Sequence, residues 1–262
     1  MWSFQTEHYD YDISDSLYKS EMPETIAVVS DLHNHVFKSR NTPLYDAIAK
    51  AHPDAVFITG DLVTNAKKKN KRAFYFIRSL SKLHIPVFYA PGNHEAKFEK
   101  QNPVWYSKYE AFIKRYGVHY LRNEWFRYSE HISIGGLELP LDFYRKGYFR
   151  KKPTEADFLN CLPQRPEGFR ILLAHNPMYF PLYEQCGADL VLSGHVHGGI
   201  VRLPFIGGVV APQFRLFPKY DAGKYQIRNS EMFVSRGLGT HTIPLRLWNK
   251  PELMIIHFKK EQ

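Results

Sequence analysis

Ile26-Ala27-Val28-Val29-Ser30-Asp31-Leu32-His33 is an apolar run that ends in a carboxylate and an imidazole two residues apart. Four consecutive apolar residues, three of them β-branched, read as a strand buried on both faces, the kind found in parallel sheets. In extended backbone, side chains two apart point the same way, so Asp31 and His33 are expected to project together from the strand end. An acid and an imidazole held side by side make half of a metal site. An Asp turn followed by an unrelated surface His is the competing reading, and the rest of the chain has to decide between them.

The same pattern recurs. Ala55-Val56-Phe57-Ile58-Thr59 is a second apolar run and finishes in Gly60-Asp61. Residues 85–90 form a third and end in Pro91-Gly92-Asn93-His94-Glu95; Pro86 places that segment near a sheet edge or just entering the sheet. Residues 169–174 lead into His175-Asn176-Pro177, and residues 189–192 into Ser193-Gly194-His195-Val196-His197-Gly198-Gly199. Helical signals separate the first three runs. Thr42 reads as an N-cap with Pro43 at the first helical position and Leu44, Ala47, Ile48 and Ala51 on one face. A basic run at 66–72 opens a second helix with Ala73, Phe76, Ile77, Leu80 and Leu83 inward, and residues 103–116 read as a third. Strands alternating with helices predict right-handed βαβ units and a largely parallel sheet, whose carboxyl edge is where ligands bind. Further on, residues 118–139 read as short strands about a Gly135-Gly136 turn, and residues 154–159 as a short helix. Met232-Phe233-Val234 and Leu253-Met254-Ile255-Ile256 read as strands of a second sheet.

With 262 residues and no marked shift in composition, one domain over 1–262 is expected. Residues 1–24 are its polar lead-in, and residues 142–166 are a surface excursion that is either a cap over the site or a connection. Lys and Arg exceed Asp and Glu by 9, a balance that favours anionic partners. The basic residues fall in scattered runs, such as 67–72 and 150–152, with no aromatic interleaving, so nucleic acid is not the expected partner; no feature implies a protein partner. Two cysteines, Cys161 and Cys186, are too few for a disulfide framework and are not spaced as a zinc clip, which suits a reduced, cytoplasmic setting. The first eight residues carry neither a basic n-region nor an apolar h-region, and no stretch reaches the roughly 20 apolar residues of a membrane span.

Five strand ends therefore deliver two carboxylates, one amide oxygen and four imidazoles, with His94 in addition. Because one divalent ion takes four to six ligands, this set fits two ions sharing a carboxylate better than one. Two close cations would clamp the attacking and leaving oxygens of an in-line displacement at phosphorus. No thiolate is placed to contribute.

At this point the chain resembles the calcineurin-like metallophosphoesterase superfamily, whose signature of D-x-H, G-D, G-N-H-[DE], H and G-H-x-H stands here as Asp31-Leu32-His33, Gly60-Asp61, Gly92-Asn93-His94-Glu95, His175 and Gly194-His195-Val196-His197. The resemblance implies an α/β, four-layer αββα sandwich of two mixed β-sheets flanked by helices, with the metal site at strand carboxyl ends. It implies that Asp31, His33 and His197 hold one ion and Asn93, His175 and His195 the other, with Asp61 bridging and His94 free of metal as general acid. It also implies a metal-bridging hydroxide as nucleophile and two divalent ions drawn from Mn²⁺, Fe²⁺/Fe³⁺ or Zn²⁺, Mn²⁺ first. The tail, from Ser235-Arg236-Gly237-Leu238-Gly239-Thr240-His241 to Arg246 and Pro251-Glu252, is similar to a bacterial branch of phosphodiesterases associated with membrane or cell wall, some of which hydrolyse the pyrophosphate of UDP-2,3-diacylglucosamine. A phosphodiesterase or pyrophosphatase acting on a lipid-linked or nucleotide phosphoester, with peripheral membrane contact, is the expectation. A nuclease and a non-enzymatic scaffold of the same fold are the alternatives. Asn34-His35 departs from the Leu-Gly continuation frequent in that branch. His241 and Arg246 are candidates to reach the site from outside the ligand set, and the stretch 203–217 is either core or an apolar lip beside the metals.

Overall fold

The computed structural model of the protein describes residues 3–14, 16–65, 70–145, 153–163, 165–199, 201–203, 207–210, 217–240 and 246–261. The chain opens with β1 (Gln5–Asp12) and then alternates: β2 (Thr25–Val29), α1 (Thr42–Lys50), β3 (Ala55–Ile58), α2 (Lys71–Leu80) and β4 (Val87–Tyr89). Two helices, α3 (Asn93–Gln101) and α4 (Pro103–Arg115), precede β5 (Val118–Tyr120). β6 (Glu124–Arg127), β7 (Ile132–Leu137), α5 (Glu155–Cys161), β8 (Phe169–Ala174), α6 (Phe180–Gln185) and β9 (Leu190–Ser193) follow. The tail holds a hairpin, β10 (Val201–Leu203) with β11 (Gly207–Val210), then β12 (Gly223–Ile227), β13 (Ser230–Val234) and β14 (Glu252–Lys259).

The strands form two six-stranded sheets, β1-β14-β2-β3-β4-β5 and β12-β13-β9-β8-β7-β6. β2 to β5 pair in parallel, as do β7 to β9 and β13, while β14 against β2, β12 against β13 and β6 against β7 are antiparallel, so both sheets are mixed. Alternation along each strand explains the layering. Ile26, Val28 and Phe57 of the first sheet meet Ile134, Ile171, Leu173 and Leu192 of the second in one apolar layer. The intervening Ala27, Val29, Val56 and Ile58 pack under Leu44, Ile48, Phe76, Ile77 and Tyr109 of the helices. On the far side Leu172, Val191 and Met232 meet Phe158, Phe180 and Tyr183. The result is a four-layer αββα sandwich. At about 1.5–3 kcal/mol for each fully buried large apolar side chain, these layers hold the fold and leave the strand ends free for chemistry.

Several expectations need correction. Thr42 does not cap α1. Asn41 holds that position in left-handed backbone, with its side chain accepting from the Phe37 N–H (2.7 Å) and donating to the His35 carbonyl (3.0 Å). Of the two readings of Pro86 only the edge needs correcting: the segment is just entering the sheet, since Pro86 immediately precedes β4, its carbonyl accepts from Val56 N–H (3.0 Å), and β4 runs between β3 and β5. Gly135 and Gly136 sit inside β7 opposite Trp125 and Glu124, where they make room for neighbours instead of turning: a Cβ on Gly135 would stand 2.7 Å from the Trp125 ring, and one on Gly136 would meet Leu121. The run 253–256 belongs to the first sheet, not the second. Both its faces are covered, Met254 and Ile256 by the inter-sheet layer and Leu253 and Ile255 by the helical layer.

α5 packs Phe158 into the outer helical layer, and a short turn at Leu141–Tyr144 sets Tyr144 beside the site; residues 146–152 and 164 lie outside the described residues. So do 66–69, 204–206, 211–216 and 241–245, which include parts of the basic run and of the 203–217 stretch, and His241. Among the described residues no helix is long and apolar enough to cross a membrane.

Candidate metal centre

Every strand-end cluster converges on one place, but the backbone that brings them there is not extended. Asp31 (φ 51), His33 (φ 46), Asn34 (φ 56), Asp61 (φ 53), His195 (φ 71) and His197 (φ 53) all lie in the left-handed region. Side-chain-bearing residues enter it sparingly, at on the order of 1–3 kcal/mol each, and do so where surrounding structure over-determines them. Here the loops after β2 and β3 pair with each other. Asp31 N–H donates to Gly60 O, His33 N–H to Asp61 O and Asn34 N–H to Leu62 O, each at 3.0 Å. The tail closes from the other side, with Leu238 N–H on Ser30 O (3.0 Å) and Gly239 N–H on Asp31 O (2.7 Å). Gly194 and Gly237 permit this approach, because a Cβ on either would run into Asp31. Asp31 and His33 therefore do face the same place, by a tight loop and not by strand periodicity.

Asp31 Oδ2 accepts from the Ser30 hydroxyl and from His195 N–H (2.9 Å), which turns Oδ1 toward Nε2 of His197 (3.2 Å), His33 (3.8 Å) and His175 (3.9 Å). Asp61 Oδ1 accepts from His94 N–H (2.7 Å), and Oδ2 faces Nε2 of His175 (3.2 Å) and of His33 (3.8 Å). His33 Nε2 and His197 Nε2 stand 3.2 Å apart. Ligand-type atoms fall into three groups, each within 4.8 Å: Asp31, His33 and His197; His33, Asp61 and His94; Asp61, His175 and His195. Asn93, at the start of α3, adds a buried Oδ1 that has no hydrogen-bond partner among the described residues. Converging carboxylates, imidazoles and an undonated amide oxygen form a set that fits divalent cations of borderline type.

Electrostatics support that use. Burial works against ionising Asp61 and Asp31, but the imidazoles around them outweigh it: His175 and His94 hold Asp61, and His197 and His175 hold Asp31, well below the usual carboxylate range. Burial pulls His33 and His195 well below the ordinary imidazole range, so they stand neutral, with a lone pair to give. His175 differs. Burial lowers it, yet the Asp61 carboxylate outweighs burial and pushes it up to about 9. Its Nδ1 donates to the Thr59 carbonyl (2.7 Å), which aims Nε2 at the carboxylates.

All eight residues singled out from the sequence, Asp31, His33, Asp61, Asn93, His94, His175, His195 and His197, lie in this one place. His94 is the one among the imidazoles that stays part-exposed, its ring edge-on to His33 with centroids 4.6 Å apart. Arg246 reaches the cluster: Nη2 donates to His197 Nδ1 (3.2 Å), and the guanidinium also serves the carbonyls of Arg236, Gly237 and Gly239. The supports had no reading of their own. Glu95 accepts from the N–H groups of Asp61 (2.8 Å), Gly92 (2.8 Å) and Val63 (3.1 Å) and from Tyr89 Oη (2.6 Å). Its place three residues after Gly92, with a helix beginning between them, was the available signal. Asn249, which donates to the carbonyls of His197 and Gly199, and Tyr144, whose ring stands 5.1 Å from that of His195, carry no local sequence signal.

Comparison with known proteins gives this arrangement its class. The model of the calcineurin-like phosphoesterase family matches residues 24–199, a span that contains all eight residues. The Bacillus subtilis protein YpbG is 31% identical over 249 residues, covering 91% of this chain and 82% of its own. Phosphodiesterase YaeI of Escherichia coli is 30% identical over 249 residues, with 89% and 82% covered. Among solved structures, a dimetal phosphatase from Danio rerio superposes with a TM-score of 0.44 at 10% identity, covering 82% of this chain and 88% of that one. The protein is a metal-dependent phosphoesterase. It belongs to the calcineurin-like phosphoesterase family.

Proposed function

We propose that the protein hydrolyses a phosphoric diester or a pyrophosphate with the help of two divalent ions, which Asp61 would hold in common. What carries this reading is the place of Asp61 in two acid–imidazole groups, one with His33 and His94 and one with His175 and His195. In this assignment Asp31, His33 and His197 hold one ion, and Asn93, His175 and His195 the other. A donor set of oxygens and imidazoles without thiolate accepts Mn²⁺, Fe or Zn²⁺, and Mn²⁺ is the first to test. When bound, such ions supply Lewis acidity toward the phosphoryl oxygens and make water a nucleophile near neutral pH.

The chain's own residues do the rest. Neutral His33 and His195 keep their lone pairs directed inward, and the Thr59 carbonyl holds His175 in register. His94 is the proton donor to the leaving oxygen, because it borders the cluster, with its backbone N–H on Asp61 Oδ1 and its ring edge-on to His33. Burial holds its imidazole below the ordinary range, and an anionic phosphoester beside it acts the other way. The name of the E. coli relative, a phosphodiesterase, favours diesters over monoesters. The substrate class in this reading is a lipid-linked or nucleotide phosphoester.

The test is Asp61→Asn, assayed with Mn²⁺ against aryl diesters, monoesters, cyclic nucleotides and nucleotide-sugar lipids. A folded variant that loses about a thousandfold in turnover, at the upper end of what one removed electrostatic stabiliser costs, supports the reading, and full activity overturns it. Salt-sensitive cleavage of DNA or RNA would make the protein a nuclease instead.

A further inference from the structure

The face built on α2, with α4 to one side and the turn before α1 to the other, carries two adjoining cavities of opposite character. One, of about 370 Å³, is lined by Phe74, Phe98, Trp105, Phe112 and Tyr116, with Asn70 and Lys71 at its border. That volume lies in the usual ~300–1,000 Å³ range of small-molecule sites. Its walls are packed rings: Phe74 stands edge-on to Phe112 with centroids 4.5 Å apart, and Phe112 is tilted against Tyr116 at 4.6 Å. The other cavity, of about 680 Å³, is lined by Arg40, Arg78 and Lys82 together with Ser39, Thr42 and Ser79. Tyr75 and Arg78 line both, so the two lie side by side.

The three cations at the polar end are notable for what does not neutralise them. Among the described residues no carboxylate lies within 4.0 Å of Arg40, Arg78 or Lys82, although Arg122, Arg202 and Arg236 elsewhere are each paired. Arg40 instead lies over the Tyr75 ring at 4.9 Å. Arg78 in the last turn of α2 complements the helix dipole, which explains one cation there. It does not explain Arg40, which arrives from the loop before α1 with left-handed backbone (φ 58). Of the residues lining the apolar cavity, Tyr75 (42%) and Trp105 (43%) are exposed, and Lys108 lies 4.8 Å from the Trp105 ring; Val104, next to Trp105 in the chain, is exposed as well. Aromatic and aliphatic side chains interleaved with Lys and Arg on one surface are the composition of an interfacial binding face.

We propose that this face binds one anionic lipid at a bilayer surface, with its acyl chain in the aromatic cavity and its phosphate headgroup among Arg40, Arg78 and Lys82. A wholly apolar ligand leaves the three cations unused, and a free phosphate leaves the rings unused; a molecule with an anionic head and an apolar chain satisfies both. None of the residues that line the two cavities is one of the eight of the metal centre, and the proposal stands whether or not the reading of the reaction does.

The full chain is sedimented with vesicles of phosphatidylcholine and with vesicles of phosphatidylcholine containing phosphatidylglycerol. Binding to the anionic vesicles is expected, weakening as salt is raised. Arg78→Gln and Lys82→Gln are each expected to weaken it about five-fold, the equivalent of ~1 kcal/mol per basic side chain near an anionic surface. Phosphatidylglycerol with brominated chains is expected to quench tryptophan emission of the native chain, and to quench it much less in Trp105→Phe. Each variant should melt and hydrolyse as the native chain does, since none of these residues is placed in the metal centre. The proposal fails if the chain ignores both vesicles, or if it binds neutral and anionic vesicles alike. It fails equally if the Arg78 and Lys82 variants bind as the native chain does, or if brominated chains do not quench. A concentration-dependent dimer abolished by these variants would make a second copy of the chain the occupant and would also overturn it.

Discussion

The two sheets build opposite walls of the metal centre and brace them differently. Loops after β2, β3 and β4 bring the oxygens of Asp31, Asp61 and Asn93 together with His33 and His94, whereas loops after β8 and β9 bring the imidazoles of His175, His195 and His197. The first wall is braced mainly from within, Glu95 gathering the N–H groups of Asp61, Val63 and Gly92 and Ser30 holding Asp31, with the tail's Leu238 and Gly239 N–H groups adding backbone bonds to Ser30 and Asp31. The second is braced from the tail, by Asn249 on the carbonyls of His197 and Gly199 and by Arg246 on the His197 ring. Carboxylates buried at 0–1% exposure need positive or metal partners. Of the second wall's imidazoles His195 stays neutral, and His175 owes its proton to Asp61 and can lose it instead of standing charged and alone. The oxygen wall is thus the one whose geometry cannot relax without leaving a buried charge unpaired, and the imidazole wall can give a little.

That contrast is broken or sharpened first at Glu95. Glu95→Gln leaves one acceptor oxygen where the carboxylate served four donors, and its NH₂ would face a backbone N–H. Each unsatisfied buried donor costs about 1–3 kcal/mol, so a loss of roughly 3 kcal/mol in urea unfolding is expected. Turnover should fall with it, because Asp61 and the Gly92-Asn93 turn lose their common anchor. A variant as stable as the native protein would show that the oxygen wall does not depend on this internal brace.

Arg246→Met tests the other wall and is expected to do less. The methionine keeps the apolar stem but withdraws donors from the carbonyls of Arg236, Gly237 and Gly239 and from His197 Nδ1. Gly237 O retains the Glu252 N–H at 3.1 Å, so part of the loss is covered. Stability is expected to fall by about 1–2 kcal/mol, within the usual cost of unsatisfied buried acceptors. Metal affinity is not expected to fall, because Arg246 donates to His197 Nδ1 and so keeps a neutral ring's proton on Nε2, the atom that faces Asp31. Metal titration followed by calorimetry measures both. Equal losses in the Glu95 and Arg246 variants would erase the distinction between the walls.

Reading the chain for polar residues at strand ends located both walls, because Asp31, Asp61, Asn93, His175, His195 and His197 each follow an apolar run directly. Local patterning reaches that far because the signal sits in adjacent residues. What it misplaced depended on distant ones. Gly135-Gly136 reads as a turn until Trp125 is known to lie across it, and Leu253-Met254-Ile255-Ile256 cannot be assigned to a sheet from its own apolar residues, since either sheet would cover both its faces. The Asp31–His33 spacing led to the right juxtaposition for the wrong cause. Strand periodicity predicts it, but left-handed backbone braced by Gly60, Asp61 and Gly239 delivers it. Asn249 and Arg246 act on His197 from about fifty residues away, and nothing in their neighbours announces it.

Acid–imidazole pairs join the two halves of the molecule at two depths, and pH separates them. His175 and Asp61, 3.2 Å apart, are both buried, and with His175 pushed up to about 9 the folded metal-free chain keeps a proton that the unfolded chain, near 6.5, releases. Its contribution is whole below pH 6.5 and is lost as pH rises toward 9, so chelator-treated protein should melt at falling temperature across that window, and Asp61→Asn should flatten the fall. Glu21 and His131 make the same pair at the surface, 2.6 Å apart, tying the segment before β2 to the turn before β7. The Ser129 hydroxyl, with the His131 ring and N–H, holds Glu21 down to about 2, so this contribution is present above pH 4.5 and is lost as pH falls toward 2. Water screens an exposed pair. Glu21→Gln should therefore leave the neutral-pH melting temperature almost unchanged and show itself as a slightly shallower loss of stability in acid. A large drop at neutral pH in that variant would mean that the sheets are clamped as firmly at the surface as at the metal centre.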